Sequence, residues 1–139
     1  MRIYLCGDSE SQETRGYDKV FANLSNFNKM SLKSEAMEIK CVNFLSSFDY
    51  YDVEKVLLLI CSKLRIGGSL VIVDTDAELM AQLITLHGIH AANDMVKTGF
   101  KSFITMEYIK SIIPDGIELS HVKLSGVKFT LTAQRSNNV

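Results

Sequence analysis

Residues 69–73 read SLVIV, with Leu70, Val71, Ile72 and Val73 apolar on consecutive positions. A strand with one wet face alternates apolar and polar residues. A run without alternation suits a central parallel strand covered on both faces. Just before it, Val53, Val56, Leu57, Ile60 and Leu64 fall at i, i+3, i+4, i+7 and i+11, the spacing of one buried helical face. Asp49 stands where a helix cap is expected. The glycines of Arg65-Ile66-Gly67-Gly68 are expected to stop the helix in a left-handed turn. Helix, turn and doubly covered strand together predict an α/β domain built on a mostly parallel sheet.

The remaining segments extend this pattern. Residues 3–5 read as a first strand running into Cys6-Gly7-Asp8, Val20-Phe21-Ala22 as a short second strand, and residues 37–44 as a third. Residues 9–15 (SESQETR) look like a solvated loop, and the Asn- and Ser-rich residues 23–28 look irregular. Residues 77–87 place Leu79, Met80, Leu83, Ile84 and His87 on one helical side, and residues 87–99 form a loop or short helix. Thr105 is placed to cap a helix over residues 106–113, which Pro114, the only proline, ends. Residues 117–124 and 127–135 flank Ser125-Gly126, a turn of the kind that joins antiparallel strands. In the second of these strands Val127, Phe129, Leu131 and Ala133 alternate with polar residues, giving one buried side.

At 139 residues the chain forms one domain spanning residues 1–139. Fifteen Lys and Arg against sixteen Asp and Glu leave a net charge of −1, so no global field draws it to nucleic acid or an anionic membrane. Cys6, Cys41 and Cys61 sit in apolar stretches, with no zinc-ligand spacing among them or with His87, His90 and His121. No metal is expected. No apolar run approaches the ~20 residues of a membrane span. These features place the protein in a cytoplasm.

Residues 49–76, DYYDVEKVLLLICSKLRIGGSLVIVDTD, resemble a stretch of class I S-adenosylmethionine-dependent methyltransferases, in which a helix, an L-K-P-G-G turn and an apolar strand ending in P-D follow one another. Tyr4-Leu5-Cys6-Gly7 stands where that family has L-G-C-G. Gly16-Tyr17 to Phe21 stands where it has a glycine-aromatic step toward an acidic residue, and Asn43-Phe44-Leu45-Ser46-Ser47-Phe48 where it has H-V-L-E-H-F. The short members found in phage genomes are the most similar in layout. The resemblance implies a Rossmann-like fold with a C-terminal antiparallel hairpin, and S-adenosylmethionine as cofactor across the carboxyl ends of the strands.

By the same resemblance the cofactor contacts fall on Leu5, Cys6, Gly7, Asp8, Asp18, Phe21, Asn43 and Phe44. Gly7 would let backbone approach the methionine part. The family's ribose-binding acid falls on Phe21, which leaves that role to Asp18 or Asp8. Asn43 and Phe44, at the end of the fourth family strand, would face cofactor and acceptor. Ser46 and Ser47 replace an acid and a histidine, so no catalytic base is assigned; methyl transfer can run on in-line positioning. Asp74 and Asp76 read as helix caps or solvated acids, and Tyr50 and Tyr51 as packing at a helix start. The leading expectation is methyl transfer to an unidentified acceptor, either a large one or one whose site a partner subunit or second copy completes. Two others stand beside it: a degenerate, non-catalytic binding or structural subunit, and a different enzyme using the same cofactor.

Overall fold

The computed structural model describes residues 1–7, 16–29, 35–94 and 100–136. In chain order the elements are β1 (Arg2–Cys6), β2 (Lys19–Phe21), α1 (Leu24–Lys29), β3 (Ala36–Val42), α2 (Val53–Ser62), β4 (Leu64–Thr75), α3 (Ala77–His87), α4 (Ile89–Asn93), α5 (Met106–Ile112), β5 (Ile117–Ser125) and β6 (Lys128–Arg135). Two short 3-10 turns, Leu45–Ser47 and Tyr50–Asp52, lead from β3 into α2. One six-stranded sheet has the order β2-β1-β3-β4-β6-β5. The first four of these strands run parallel, and β6 and β5 are antiparallel to their neighbours.

Strand pleating decides which side chains meet. Ile3 and Leu5 on β1 lie in register with Ile39 and Cys41 on β3, and these with Leu70 and Ile72 on β4. All are buried in one cluster with Phe129, Leu131 and Ala133 of β6. Helix α2 closes it with Val53, Val56, Leu57, Ile60 and Cys61, joined by Phe27 of α1 and Ile109 of α5. Burying five such side chains on one helical face stabilises the docked helix by about 1.5–3 kcal/mol each for the larger aliphatics. The opposite face of the sheet is wetter. Val71 and Val73 are only half-buried, so β4 is covered fully on one side rather than on both as its apolar run suggests.

Several local expectations are corrected. Residues 24–29 are helical, because the side chain of Asn23 accepts from the amide of Asn26 (2.9 Å) and organises the first turn. Asp49 precedes the second 3-10 turn without a side-chain cap bond. Helix α2 ends at Lys63, whose φ of −88° is right-handed, so the glycine pair does not stop it. Gly67 and Gly68 lie inside β4, where the register against β3 jumps from Ala36↔Leu64 to Glu38↔Ser69. Gly67 has a φ of +85°, and a Cβ on Gly68 would meet the carbonyl oxygen of Ala36 at 2.8 Å. The pair makes a bulge. In the hairpin Ser125 pairs with Lys128, so the two turn residues are Gly126 and Val127, one position later than expected.

Helix α3, the Thr105 cap (Oγ1 accepting from the amide of Tyr108, 3.0 Å) and the alternating burial of β6 match expectation. α4 fills part of the stretch read as loop or short helix. Among α3's apolar residues only Met80 is buried. Tyr50 packs against Tyr108 with ring centres 5.1 Å apart, while Tyr51 is exposed. The loop read over residues 9–15 lies outside the described residues. No described helix is long and apolar enough to cross a membrane, and no described group of His, Cys, Asp and Glu could hold a metal ion.

Candidate functional site

Parallel strands end together, and the connections leaving them part into a crevice. Here a cleft of about 260 Å³ opens at the carboxyl ends of β1, β2 and β3. Gly7, at the end of β1, forms its floor. Ala22, Asn23 and Leu24 leave β2 along one wall, and Phe44, Ser47 and Phe48 leave β3 along the other. Lys101 contributes at the rim. It is held there by its amide, which donates to the carbonyl of Ser46 (2.7 Å). Phe44 and Phe48 meet edge to face, 5.0 Å between ring centres. The lining joins apolar and aromatic residues with the polar Asn23, Ser47 and Lys101, and has no carboxylate among the described residues. Its volume lies just under the roughly 300–1,000 Å³ typical of small-molecule pockets.

The eight residues singled out from the sequence are placed unevenly. Gly7 and Phe44 line the cleft. Asn43 stands between them, with a left-handed φ of +52° and its amide donating to the carbonyl of Val73 (2.9 Å). Its carboxamide oxygen is buried without a hydrogen-bond partner among the described residues, as is the hydroxyl of Ser102. Asn43 and Phe44 directly follow β3, the third strand of the chain, where the resemblance has a fourth. Leu5 points into the main core, fully buried. Cys6 is nearly as buried, and its thiol reaches the carbonyl of Phe21 at 3.7 Å. The ring of Phe21 packs edge to face on Phe27, 5.8 Å away.

Asp18 does not reach this edge of the sheet. It precedes β2, and its carboxylate accepts from the amide of Arg2 (2.8 Å) at the start of β1, roughly 17 Å of strand away from Gly7. Asp8 lies outside the described residues. The cleft residues that sequence reasoning missed are Ala22, Asn23, Leu24, Ser47, Phe48 and Lys101. Asn23, a good cap residue two positions beyond β2, carried the one usable signal.

Beneath the site lies a buried acid. Asp74, at the end of β4, accepts from the amides of Ser46 (3.1 Å) and Thr75 (2.8 Å). Burial pushes its carboxyl above the usual aspartate value of 3.8, and the hydrogen bonds from Ser46 and Thr75 oppose this. A carboxyl whose folded pKa is raised binds its proton more tightly when folded. Its contribution to stability is therefore fully present below the unfolded value and is lost as pH rises through the folded one. The stability of the parent relative to Asp74→Asn is expected to increase as pH falls from about 7 to about 4. Thermal melts of both proteins across that range test this; parallel pH profiles would refute it.

No family model and no curated protein matches the chain. Solved structures do. An O-methyltransferase family protein from Burkholderia thailandensis superposes with a TM-score of 0.60 at 20% identity, over 85% of this chain and 36% of its own. A SAM-dependent methyltransferase from Archaeoglobus fulgidus gives 0.60 at 14%, over 96% and 85%. The 1,6-didemethyltoxoflavin-N1-methyltransferase of Burkholderia thailandensis, solved with 1,6-didemethyltoxoflavin and S-adenosylhomocysteine, gives 0.65 at 8%, over 98% and 71%. The chain has the class I methyltransferase fold. It spans about a third of the length of the O-methyltransferase family protein. Within the methyltransferase fold, the cleft over β1, β2 and β3 occupies the carboxyl edge of the parallel strands, where open α/β sheets take their ligands.

Proposed function

We propose that the chain is an S-adenosylmethionine-dependent methyltransferase domain acting on an acceptor still to be identified, with the cofactor in the cleft beside Gly7. The observation that carries this reading is the cleft itself: a preformed apolar slot at the ligand-binding edge of the methyltransferase fold.

The described residues suit the purine half of the cofactor better than its sugar. Leu24 and Phe48 offer apolar and aromatic surface to a planar base, with the buried ring of Phe44 packed behind Phe48. Asn23 is the polar side chain nearest the end of β2, and its amide group offers donors to ribose hydroxyls while its oxygen caps α1. Lys101 offers its ammonium to the carboxylate of the methionine part. The bound cofactor would supply an electrophilic methyl group. The chain's own contribution is to exclude water with Phe48, backed by the buried Phe44, and to orient what it binds.

A second reading, a non-catalytic subunit that keeps the fold, is favoured by the engagement of Asp18 with Arg2, which leaves the described cleft without a carboxylate. A charge-assisted ribose contact of that kind is worth about 1.5–3 kcal/mol. Calorimetric titration with S-adenosylhomocysteine separates the two. The first reading expects measurable heat with the parent and at least about tenfold weaker binding in Ala22→Trp, whose indole would fill the mouth of the cleft from an exposed position. Absence of heat and of thermal shift at about millimolar ligand, a binding energy of only about −4 kcal/mol, supports the subunit reading instead.

A further inference from the structure

The two edges of the sheet differ. β2 ends one side with three residues, too short to template another strand. β5 ends the other with nine, paired to β6 on one side only, so its outward amides and carbonyls have no strand partner among the described residues. Its side chains are also uncovered. Leu119, Val122 and Leu124 lie in register with Ala133, Leu131 and Phe129, all fully buried, yet are themselves 41, 36 and 53% exposed. The apolar face of the sheet thus continues onto the edge strand, where these side chains stay largely uncovered among the described residues.

The order of residues on this strand supplies the occupant. Residues 117–124 read Ile-Glu-Leu-Ser-His-Val-Lys-Leu. Turned antiparallel against a second copy about a two-fold axis between Ser120 and His121, Glu118 falls opposite Lys123, Leu119 opposite Val122, and Ile117 opposite Leu124. Each pair then shares a face. The shift in register between Leu119 and His121 lets Ile117, Leu119, Val122 and Leu124 share the apolar face, while Glu118 and Lys123 share the other. The hydroxyl of Ser120 turns inward to the carbonyl of Thr132 (3.2 Å), which keeps the outer edge clear at the axis. Neither Glu118 nor Lys123 has an ion-pair partner among the described residues.

We propose that β5 is a dimerisation edge, pairing antiparallel with β5 of a second copy in this register to make one continuous twelve-stranded sheet. An isologous contact requires the same patch to complement itself, and this octet does so in charge and in apolar character. A lysine on an edge strand ordinarily discourages pairing. Here the same lysine selects one register, since any shift removes its match with Glu118 and a one-residue shift also sets apolar against polar faces.

The test is sedimentation of the full chain from about 1 to 100 μM, the weak end of specific association. The parent is expected at twice its 15.6 kDa mass in the upper part of this range. Glu118→Lys and Lys123→Glu each place like charges opposite one another twice per dimer, and each is expected to weaken association roughly tenfold or more. Mixed in equal amounts they restore both opposite pairs, so the mixture is expected to form a heterodimer that neither variant forms with itself. Both positions are exposed, and circular dichroism checks that the fold is kept. A parent that stays monomeric throughout, a dimer indifferent to both reversals, or variants that remain apart on mixing would each overturn the proposal.

Discussion

Gly7→Ala is expected to lower stability by roughly 3 kcal/mol or more, a larger effect than any surface change in this chain should have. A Cβ at that position would stand 1.8 Å from the carbonyl oxygen of Asn43 and 2.7 Å from its carbonyl carbon. Both are backbone atoms, and neither can rotate away. Asn43 cannot retreat either, because its amide is bound to Val73 and its backbone already holds a left-handed turn. Gly7 in turn donates to the carbonyl of Val42 (3.1 Å), which locks the two strand ends together. Urea unfolding of parent and variant measures the difference. A midpoint within experimental error of the parent would mean that the strand ends part easily. The bareness of Gly7 therefore serves the neighbouring strand first, and a bulky substitution there would report on folding before it reported on a ligand.

Asp76→Ala is expected to cost about 2–4 kcal/mol. One carboxylate holds two helices. Its Oδ1 accepts from the amides of Glu78 (2.9 Å) and Leu79 (3.1 Å) at the start of α3. Its Oδ2 accepts from Met106 (2.9 Å) at the start of α5, thirty residues further on. Asp76 is buried, so water cannot fully replace what alanine removes. Asp76→Asn keeps one acceptor and should fall between alanine and the parent. Guanidinium unfolding of the three proteins would show that order, and equal stability of Ala and Asn variants would contradict it. The same bonds explain why α5 begins at Met106 with its Thr105 cap already in place.

Periodicity carried much of the fold into view. The spacing of Val53, Val56, Leu57 and Ile60 has only one structural meaning, because a helix of that length buries one stripe. Phe129, Leu131 and Ala133 alternate for the equivalent reason in a strand. α1 escaped because its six residues bury only Phe27, and a single contact has no period. Gly67-Gly68 misled because a glycine pair announces a special backbone without saying whether a helix ends or a strand bulges. The cleft was legible in part. Gly7 and Phe44 stand at strand ends, where topology places ligands, but Lys101 joins them through a bond to Ser46 that no local pattern encodes. Asp18 has the right chemistry three residues before the right place, and its partner, the amide of Arg2, lies across a strand pair.

The position of β6 bears on the birth of the molecule. β4 lies at the middle of the sheet, yet the strand that closes its far side is supplied only by residues 128–135, more than fifty positions later in synthesis. A nascent chain emerging from the ribosome would carry the parallel half ready-made and an apolar margin still bare. Closure of long sequence separations is slow, and half-built sheets are the species that chaperones capture. Leu70, Ile72 and their neighbours are then the residues most in need of shelter during that interval.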